Sequence, residues 1–440
     1  MTRKTFKGGV HPPDNKASSR GAAIEDAPVP DLVVVTMGQH LGAPAKPVVA
    51  VGDGVKRGQV IGEAAGFISS NVHSPVSGRV VRVEPAPHPL GKPVTAVAIE
   101  NDRADAAVDG YGLPVRWEGM SAGEICAKIL AMGVVGMGGA TFPTHVKLAP
   151  PKDRPPIDTV VINGAECEPY LTSDFRLMVE NPGGIVEGLR IILKATGAPR
   201  ALVGIEANKP EAIEALARAA SGLSGVSVEE VPVRYPQGGE KQLIKTLLGR
   251  EVPSGGLPLD VGVVVQNVGT ACAIADAVAW GRPLTDRIVT VAGAVERPAN
   301  YRTRIGVPAG ALLERSNLKP SARKIIFGGP MMGLAQYTSE VAVTKSTSGI
   351  LALDEVDSSP ARGCIRCGKC VEGCPSGLVP SMLSVLGEAG RFIQMGEWDA
   401  ADCIECGVCA YVCPAKRPIV HYIKRGKEAL RQARAKGAAK

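Results

Sequence analysis

No stretch of this sequence reaches the ~18–20 continuous apolar residues that a membrane span needs, because glycine interrupts its longest uncharged runs. Membrane contact is therefore expected to be peripheral. The N-terminal text MTRKTFKGGVHPP has neither the apolar core nor the small-residue cleavage site of a secretory signal, so the chain is expected to stay in the cytosol. Aromatic residues make up only 4% of the chain, which leaves little material for the base-stacking platforms of single-strand nucleic-acid binders. The net charge of +7 does not restore that possibility, because it is local. From Lys416 to Lys440 nine Lys or Arg stand against one Glu, so the other 415 residues carry about one net negative charge. Nucleic acid is not an expected partner.

What remains is a globular composition, 45% apolar and 21% charged over 440 residues, a length that points to three or four domains. Residues 1–30 are rich in Pro, Gly, Asn and Ser without apolar period, and read as an extended arm. Residues 31–101 carry short β patterns: LVVV, a turn at VGDGVKRGQVIG, a second near NVHSPVSGRVVRVE, and TAVAIE. Between 121 and 282 strands alternate with helical periods, which predicts an α/β domain with a largely parallel sheet. Its strands are DTVVIN, ALVGIE, VSVEEVPV and VGVVVQN, and its helices run from Pro182, Pro210, Glu240 and Thr270. Residues 283–350 return to short β.

At 364–375 the sequence reads CIRCGKCVEGCP and at 403–414 CIECGVCAYVCP. Three thiolates at this spacing wrap three corners of one four-iron, four-sulfide cube, and the fourth, displaced by the longer gap and the proline, serves the other cube. That assigns Cys364, Cys367, Cys370 and Cys413 to one [4Fe-4S] cluster and Cys403, Cys406, Cys409 and Cys374 to the second. Gly368 and Gly407 are read as positions where the backbone comes close to a cube. Zinc is the rival ligand, but four cysteines within eleven residues reach a tetrahedral ion poorly; disulfides are disfavoured in a reducing cytosol. The linker between the two copies has helical period, so residues 360–424 are expected to be mainly α-helical. Cys126, Cys167 and Cys272 stand alone and read as apolar packing.

GMGGATFPTHVK, from Gly136 to Lys147, is a glycine-rich turn without the third glycine of a dinucleotide fingerprint. It reads either as a tight loop or as a phosphate cradle built from the amides of Gly136, Gly138 and Gly139 with Lys147 as counter-charge. The turn resembles the flavin- and NADH-binding loop of the flavoprotein subunit of respiratory complex I. NGAECEP, YPQGGE and QNVGT follow in the order in which that family has its flavin turn, its tyrosine-glycine-glutamate loop and its asparagine turn. The pairing of GDGVKRGQ with SPVSGRV is similar to the barrel-sandwich fold of biotinyl and lipoyl domains, but the tip FISSNVH has no carrier lysine; a structural or docking module is expected there. RIVTVAGAV and KIIFGG resemble a β-grasp, SLBB-like module. Together with FKGGVHPPDNK and the doubled cysteine motif, the order of modules resembles the RnfC family, a component of Rnf-type ion-translocating ferredoxin:NAD oxidoreductase complexes, over nearly the whole chain.

The resemblance implies non-covalent FMN, NAD(H) as substrate, two [4Fe-4S] clusters, membrane-embedded partner subunits and an indirect exchange with ferredoxin, at the cytoplasmic face of the inner membrane. Carried over by position, Gly136, Gly138, Gly139 and Lys147 hold the nucleotide end. Asn163, Glu166, Tyr235, Gly238, Gly239 and Asn267 line the flavin, and Glu168 and Glu240 face NAD(H). Two positions depart from the complex I pattern: Ala165 replaces an acid and Gly239 a glutamate. A solvated acidic turn is the plain alternative for Glu166 and Glu168. No catalytic acid, base or nucleophile is expected. Two other functions are compatible with these motifs: a soluble NADH dehydrogenase or hydrogenase diaphorase component, and a ferredoxin-like adaptor without a nucleotide site. The basic tail at 425–440 reads as a solvated cationic end or as an electrostatic dock for anionic lipid headgroups, separable from the clusters.

Overall fold

Thr159–Gly164, Arg200–Glu206, Val226–Val231 and Val263–Asn267 form an all-parallel sheet in the computed structural model, which describes residues 5–151 and 153–438, with side chains through residue 433. The spatial order is Val226–Val231, Arg200–Glu206, Thr159–Gly164, Val263–Asn267. Side chains alternate across a strand, and the two faces find different partners. Val160 and Ile162 join Ile185, Leu189 and Ile274 in the main core. Val161 and Val263 instead pack with Leu243 and Ile244 of the helix Glu240–Leu248. On the main-core side the helices Pro182–Thr196 and Val268–Trp280 meet so closely that a Cβ on Gly188 would collide with the Ala271 carbonyl. The strands thus end together at Asn163, Glu206 and Asn267, the carboxyl edge at which open α/β sheets build ligand sites.

The N-terminal β region is a sandwich of a four-stranded sheet, Leu32–Thr36, Val94–Asn101, Gly78–Ala86 and Gly54–Val55, and a three-stranded one, Lys46–Pro47, Val60–Glu63 and Val72–His73. Val33, Val35, Ile61, Val72, Val97 and Ile99 fill it. Its lysine-free tip is docked within the chain: Lys345 Nζ donates to the carbonyls of Asn71 and Gly133, each at 2.7 Å.

A third sheet runs Ile24–Asp26, Ala299–Arg304, Asp286–Gly293, Gly349–Leu353, Lys324–Phe327, Leu334–Gln336. Asp286–Gly293 is antiparallel to Ala299–Arg304 and parallel to Gly349–Leu353. Its first strand comes from the arm, which therefore lies on three units at once. Val10 and Tyr235 exchange both backbone hydrogen bonds at 2.9 Å, the Gly9 amide donates to the Gly373 carbonyl, and Phe6 is buried.

The cysteine-rich unit is helical, as its period predicts: Pro380–Glu388, Phe392–Glu397 and Ile419–Ala438 surround a core of Leu383, Leu386, Met395, Ile419 and Ile423. Those last two apolar residues of the tail helix face the cluster core, and Gly426 packs on Met395. Among the described residues no helix is long and apolar enough to cross a membrane.

Candidate flavin and cluster sites

The glycine-rich turn lies over the sheet's carboxyl edge because it is fastened to the first turn of Val268–Trp280. The Met137 amide donates to Thr270 Oγ1 at 2.9 Å, and the Gly136 amide to the Phe142 carbonyl at 2.8 Å. A Cβ on Gly138 would stand 2.8 Å from Asn267 Cβ, so only glycine lets the turn approach that closely. Gly138 and Gly139 are exposed, and Gly139 faces open space. Lys147, half-buried on the helix Thr144–Leu148, pairs with Glu240 at 2.5 Å.

The other sequence-derived residues gather around this edge. Asn163 Nδ2 donates to the Gly238 carbonyl at 2.9 Å, and Asn163 Oδ1 accepts from the Ala165 amide. The Gly238 amide donates to Cys167 Sγ at 3.2 Å, and Gly239 begins the helix Glu240–Leu248. Asn267 caps Val268–Trp280 by accepting from the Gly269 amide at 2.8 Å while its Nδ2 donates to Asp174 Oδ2 at 2.6 Å.

Neither acid of the flavin turn is solvated. Glu166, with a side chain only 5% exposed, accepts from the Asp174 and Phe175 amides at 2.7 and 3.2 Å and so caps the helix Ser173–Glu180. Lys16 of the arm reaches the same place, donating to the carbonyls of Glu166 and Leu171. Burial pushes the Glu166 carboxyl up to about 7 against the opposing charge of Lys16. Glu168 accepts from the Met331 and Met332 amides at 3.1 and 2.8 Å and from the Tyr235 hydroxyl at 3.3 Å; burial raises its carboxyl as well. Sequence reasoning missed Lys16, Asp174 and Thr270. The one local signal was the charge of Lys16 beside the uncharged run from Ala17 to Ser19.

Tyr235, 2% exposed, also donates to the Cys406 carbonyl at 2.7 Å. It shares an apolar cluster with Cys406, Val408, Cys167 and Met331, so the cysteine loop 403–409 abuts the flavin turn.

Both cysteine loops fold alike. Arg366 and Glu405 are left-handed, at φ 57° and 59°, and Gly368 and Gly407 both lie at φ 81°, a repeated backbone that turns successive amides inward as a nest for an anionic group. Cys374, Cys403, Cys406 and Cys409 line one small cavity with Val408, Val420 and Ile423. Burial raises the thiols of Cys403, Cys406 and Cys409, and the charge of nearby Cys374 raises each further. The thiol from the first motif thus joins three from the second. Cys364 lies close enough to Cys370 to raise its thiol, after burial; Cys413 packs in the same core as Cys370, and Cys367 is exposed. Among the described residues no three His, Cys, Asp or Glu are drawn together as a single ion requires; the thiols ring a space instead. Soft thiolates in a nest of amides fit an iron–sulfur cube. Lys427 Nζ donates to the Cys403 carbonyl at 2.7 Å and pairs with Glu405 at 2.6 Å, so the start of the tail braces this loop.

Residues 4–104 match the RnfC barrel sandwich hybrid domain, residues 129–276 the Nuo51 FMN-binding domain and residues 363–416 the 4Fe-4S dicluster domain. FMN and [4Fe-4S] clusters are accordingly the cofactors of this chain. The RnfC-type component of the proton-translocating ferredoxin:NAD(+) oxidoreductase complex of Clostridium ljungdahlii is 49% identical over 435 residues, covering 98% of this chain and 95% of the relative. Its counterpart in the Na(+)-translocating ferredoxin:NAD(+) oxidoreductase complex of Acetobacterium woodii is 45% identical, covering 98% of each chain. The corresponding component of the ion-translocating oxidoreductase complex of Rhodobacter capsulatus is 43% identical over 88% of this chain and 75% of its own. Matches of this extent run through the barrel, the sheet edge and both cysteine loops together, and the chain belongs to the RnfC family of the ion-translocating oxidoreductase complexes.

Proposed function

We propose that this chain passes electrons between NAD(H), FMN and two [4Fe-4S] clusters as a peripheral subunit, on the cytoplasmic side, of a membrane complex whose other subunits exchange electrons with ferredoxin and move an ion. The observation that carries this reading is the Tyr235 hydroxyl, which touches Glu168 of the flavin turn and Cys406 of a cluster loop at once. When bound, the flavin exchanges a hydride with nicotinamide and single electrons with clusters, chemistry that belongs to the cofactor. The chain supplies position and charge. Gly136, Gly138 and Gly139 offer unobstructed amides to the nucleotide end, and Lys147 offers its ammonium in place of its pairing with Glu240. Asn163, Gly238, Gly239, Asn267 and Tyr235 wall the flavin. Glu166 holds the turn by capping a helix, and Glu168 and Glu240 face NAD(H). Cys374, Cys403, Cys406 and Cys409 serve the cluster beside the flavin. Cys364, Cys367, Cys370 and Cys413 serve the outer one, toward the partner subunits.

The same reading divides the chain at 1–30, 31–101, 121–282, 283–350, 360–424 and 425–440. Residues 283–350 are a β-grasp, SLBB-like module, supported by the antiparallel pair followed by a parallel central strand, Gly349–Leu353. The test is an anaerobic titration of iron-loaded, FMN-loaded protein with NADH, read by flavin absorbance and by electron paramagnetic resonance of the clusters. The flavin should bleach and cluster signals should rise. A flavin indifferent to NADH overturns the nicotinamide assignment, and zinc without acid-labile sulfide overturns the clusters.

A further inference from the structure

A large cavity, about 750 Å³, is not walled by the flavin residues named above. It lies where the arm, the barrel, the parallel-sheet domain and the third sheet meet, and only Met137 and Gly269 connect it to the glycine turn. Its floor exists because the arm strand is short. Ile24–Asp26 covers its neighbour only as far as the pair Asp26 and Arg302, and Ala299–Arg304 runs on beyond it. The residues left uncovered are polar.

Four of the lining residues carry buried side-chain atoms without a hydrogen-bond partner: Arg57 Nε, Thr285 Oγ1, Thr303 Oγ1 and Arg304 Nη1. Thr285 and Thr303 are each only 1% exposed. Buried hydroxyls and guanidinium N–H groups without partners each cost free energy, and here four converge on one cavity. The charge is unbalanced in the same place. Arg57 and Arg304 share a single carboxylate, Asp105, at 2.7 and 3.3 Å, which leaves one surplus positive charge. Arg57 is held further by lying 4.6 Å over the Tyr111 ring. Asp276 and Asp286 also line the cavity, and burial, with the neighbouring charge of Asp286, pushes the Asp276 carboxyl up to about 6.

We infer that this cavity is a binding site for an organic oxyanion of nucleotide size, with its phosphate or carboxylate group on Arg57, Thr303 and Arg304 and hydroxyl or amino donors toward Asp276 and Asp286. The volume lies within the range of small-molecule sites, roughly 300–1,000 Å³. Paired guanidiniums with hydroxyls are the donor set that oxyanions take. Phosphate and carboxylate ligands share this chemistry, so ADP and citrate serve as the two probes.

The experiment is isothermal titration calorimetry of the full chain, loaded with FMN and clusters, with ADP or citrate, in the presence of saturating NADH. At least one probe should bind saturably below about 1 mM. Arg304→Gln should weaken that binding roughly tenfold, and Thr303→Val, which keeps the shape and removes only the hydroxyl, should weaken it severalfold. Flavin and iron content should stay unchanged in both. Failure of both probes to bind would overturn the inference, as would binding that NADH abolishes or that neither variant weakens.

Discussion

The Tyr235 hydroxyl donates to the Cys406 carbonyl at 2.7 Å while its backbone exchanges two hydrogen bonds with Val10 of the arm. One residue of the flavin-side loop therefore holds a cluster loop with its side chain and the N-terminal arm with its main chain.

Tyr235→Phe removes the hydroxyl and leaves the Cys406 carbonyl without this donor in a buried place. The expected cost is about 1 kcal/mol of stability, read as a lower denaturation midpoint. The paramagnetic signal of one cluster should shift, and the other should not. Equal shifts in both clusters would mean that Tyr235 does not discriminate between them.

Cys374→Ala and Cys370→Ala distinguish crossed ligation from local ligation. The intact chain should hold about eight iron and eight sulfide. Because Cys374 lines the cavity with Cys403, Cys406 and Cys409, its loss should remove the cluster beside Tyr235, whereas Cys370→Ala should remove the outer one. If both variants lost the same cluster by spectroscopy, the crossed assignment would be wrong.

Gly138→Ala tests the close approach of the glycine turn to Asn267. The added Cβ would lie 2.8 Å from Asn267 Cβ, so the turn must move, and FMN retention through gel filtration should fall at least severalfold. Lys147→Ala should also weaken retention, by removing charge rather than by displacing the turn. Unchanged flavin content in Gly138→Ala would place the cofactor elsewhere.

Lys345 sets a pH dependence. Burial lowers its ammonium from 10.5 to about 7, so between those values the unfolded chain binds a proton that the folded chain does not. Stability must then rise as pH increases from about 7 to about 10.5 and be lowest below 7. His73 beside it, lowered by burial from 6.5 to about 3, adds a further loss as pH falls through that lower window. In Lys345→Met the slope above pH 7 should flatten, although the Asn71 and Gly133 carbonyls lose their donor. An unchanged slope in denaturation midpoints would show that Lys345 stays charged when folded.

Removing residues 425–440 should cost iron as well as charge. The sequence alone suggests a detachable end, but Lys427 donates to the Cys403 carbonyl and Leu430 packs on the cluster core. The truncated chain should lose the cluster of Cys403 preferentially, and Lys427→Ala should reproduce part of that loss. Full iron content after truncation would return the tail to the status of a solvated end.

The cysteine motif was legible in sequence because three of four ligands to a cube lie within seven residues, and local spacing dictates how thiolates can wrap it. The four strands and their following helices were legible for the same kind of reason, since apolar period and Pro or Gly at the ends are local properties. Only the tertiary structure decided the rest. Glu166 and Glu168 read as acids of a flavin turn; folding brings Ser173–Glu180 to the first and Met331 to the second, so each carboxylate is also a fastening between elements. The barrel tip lacks a carrier lysine in its own sequence, yet a lysine 274 positions later holds it by Asn71. Tyr235 meets Cys406 across 171 positions, and the oxyanion cavity draws Arg57, Thr285 and Arg304 from separate units. Such contacts are set by how layers pack, and packing compares side chains that no sequence window contains.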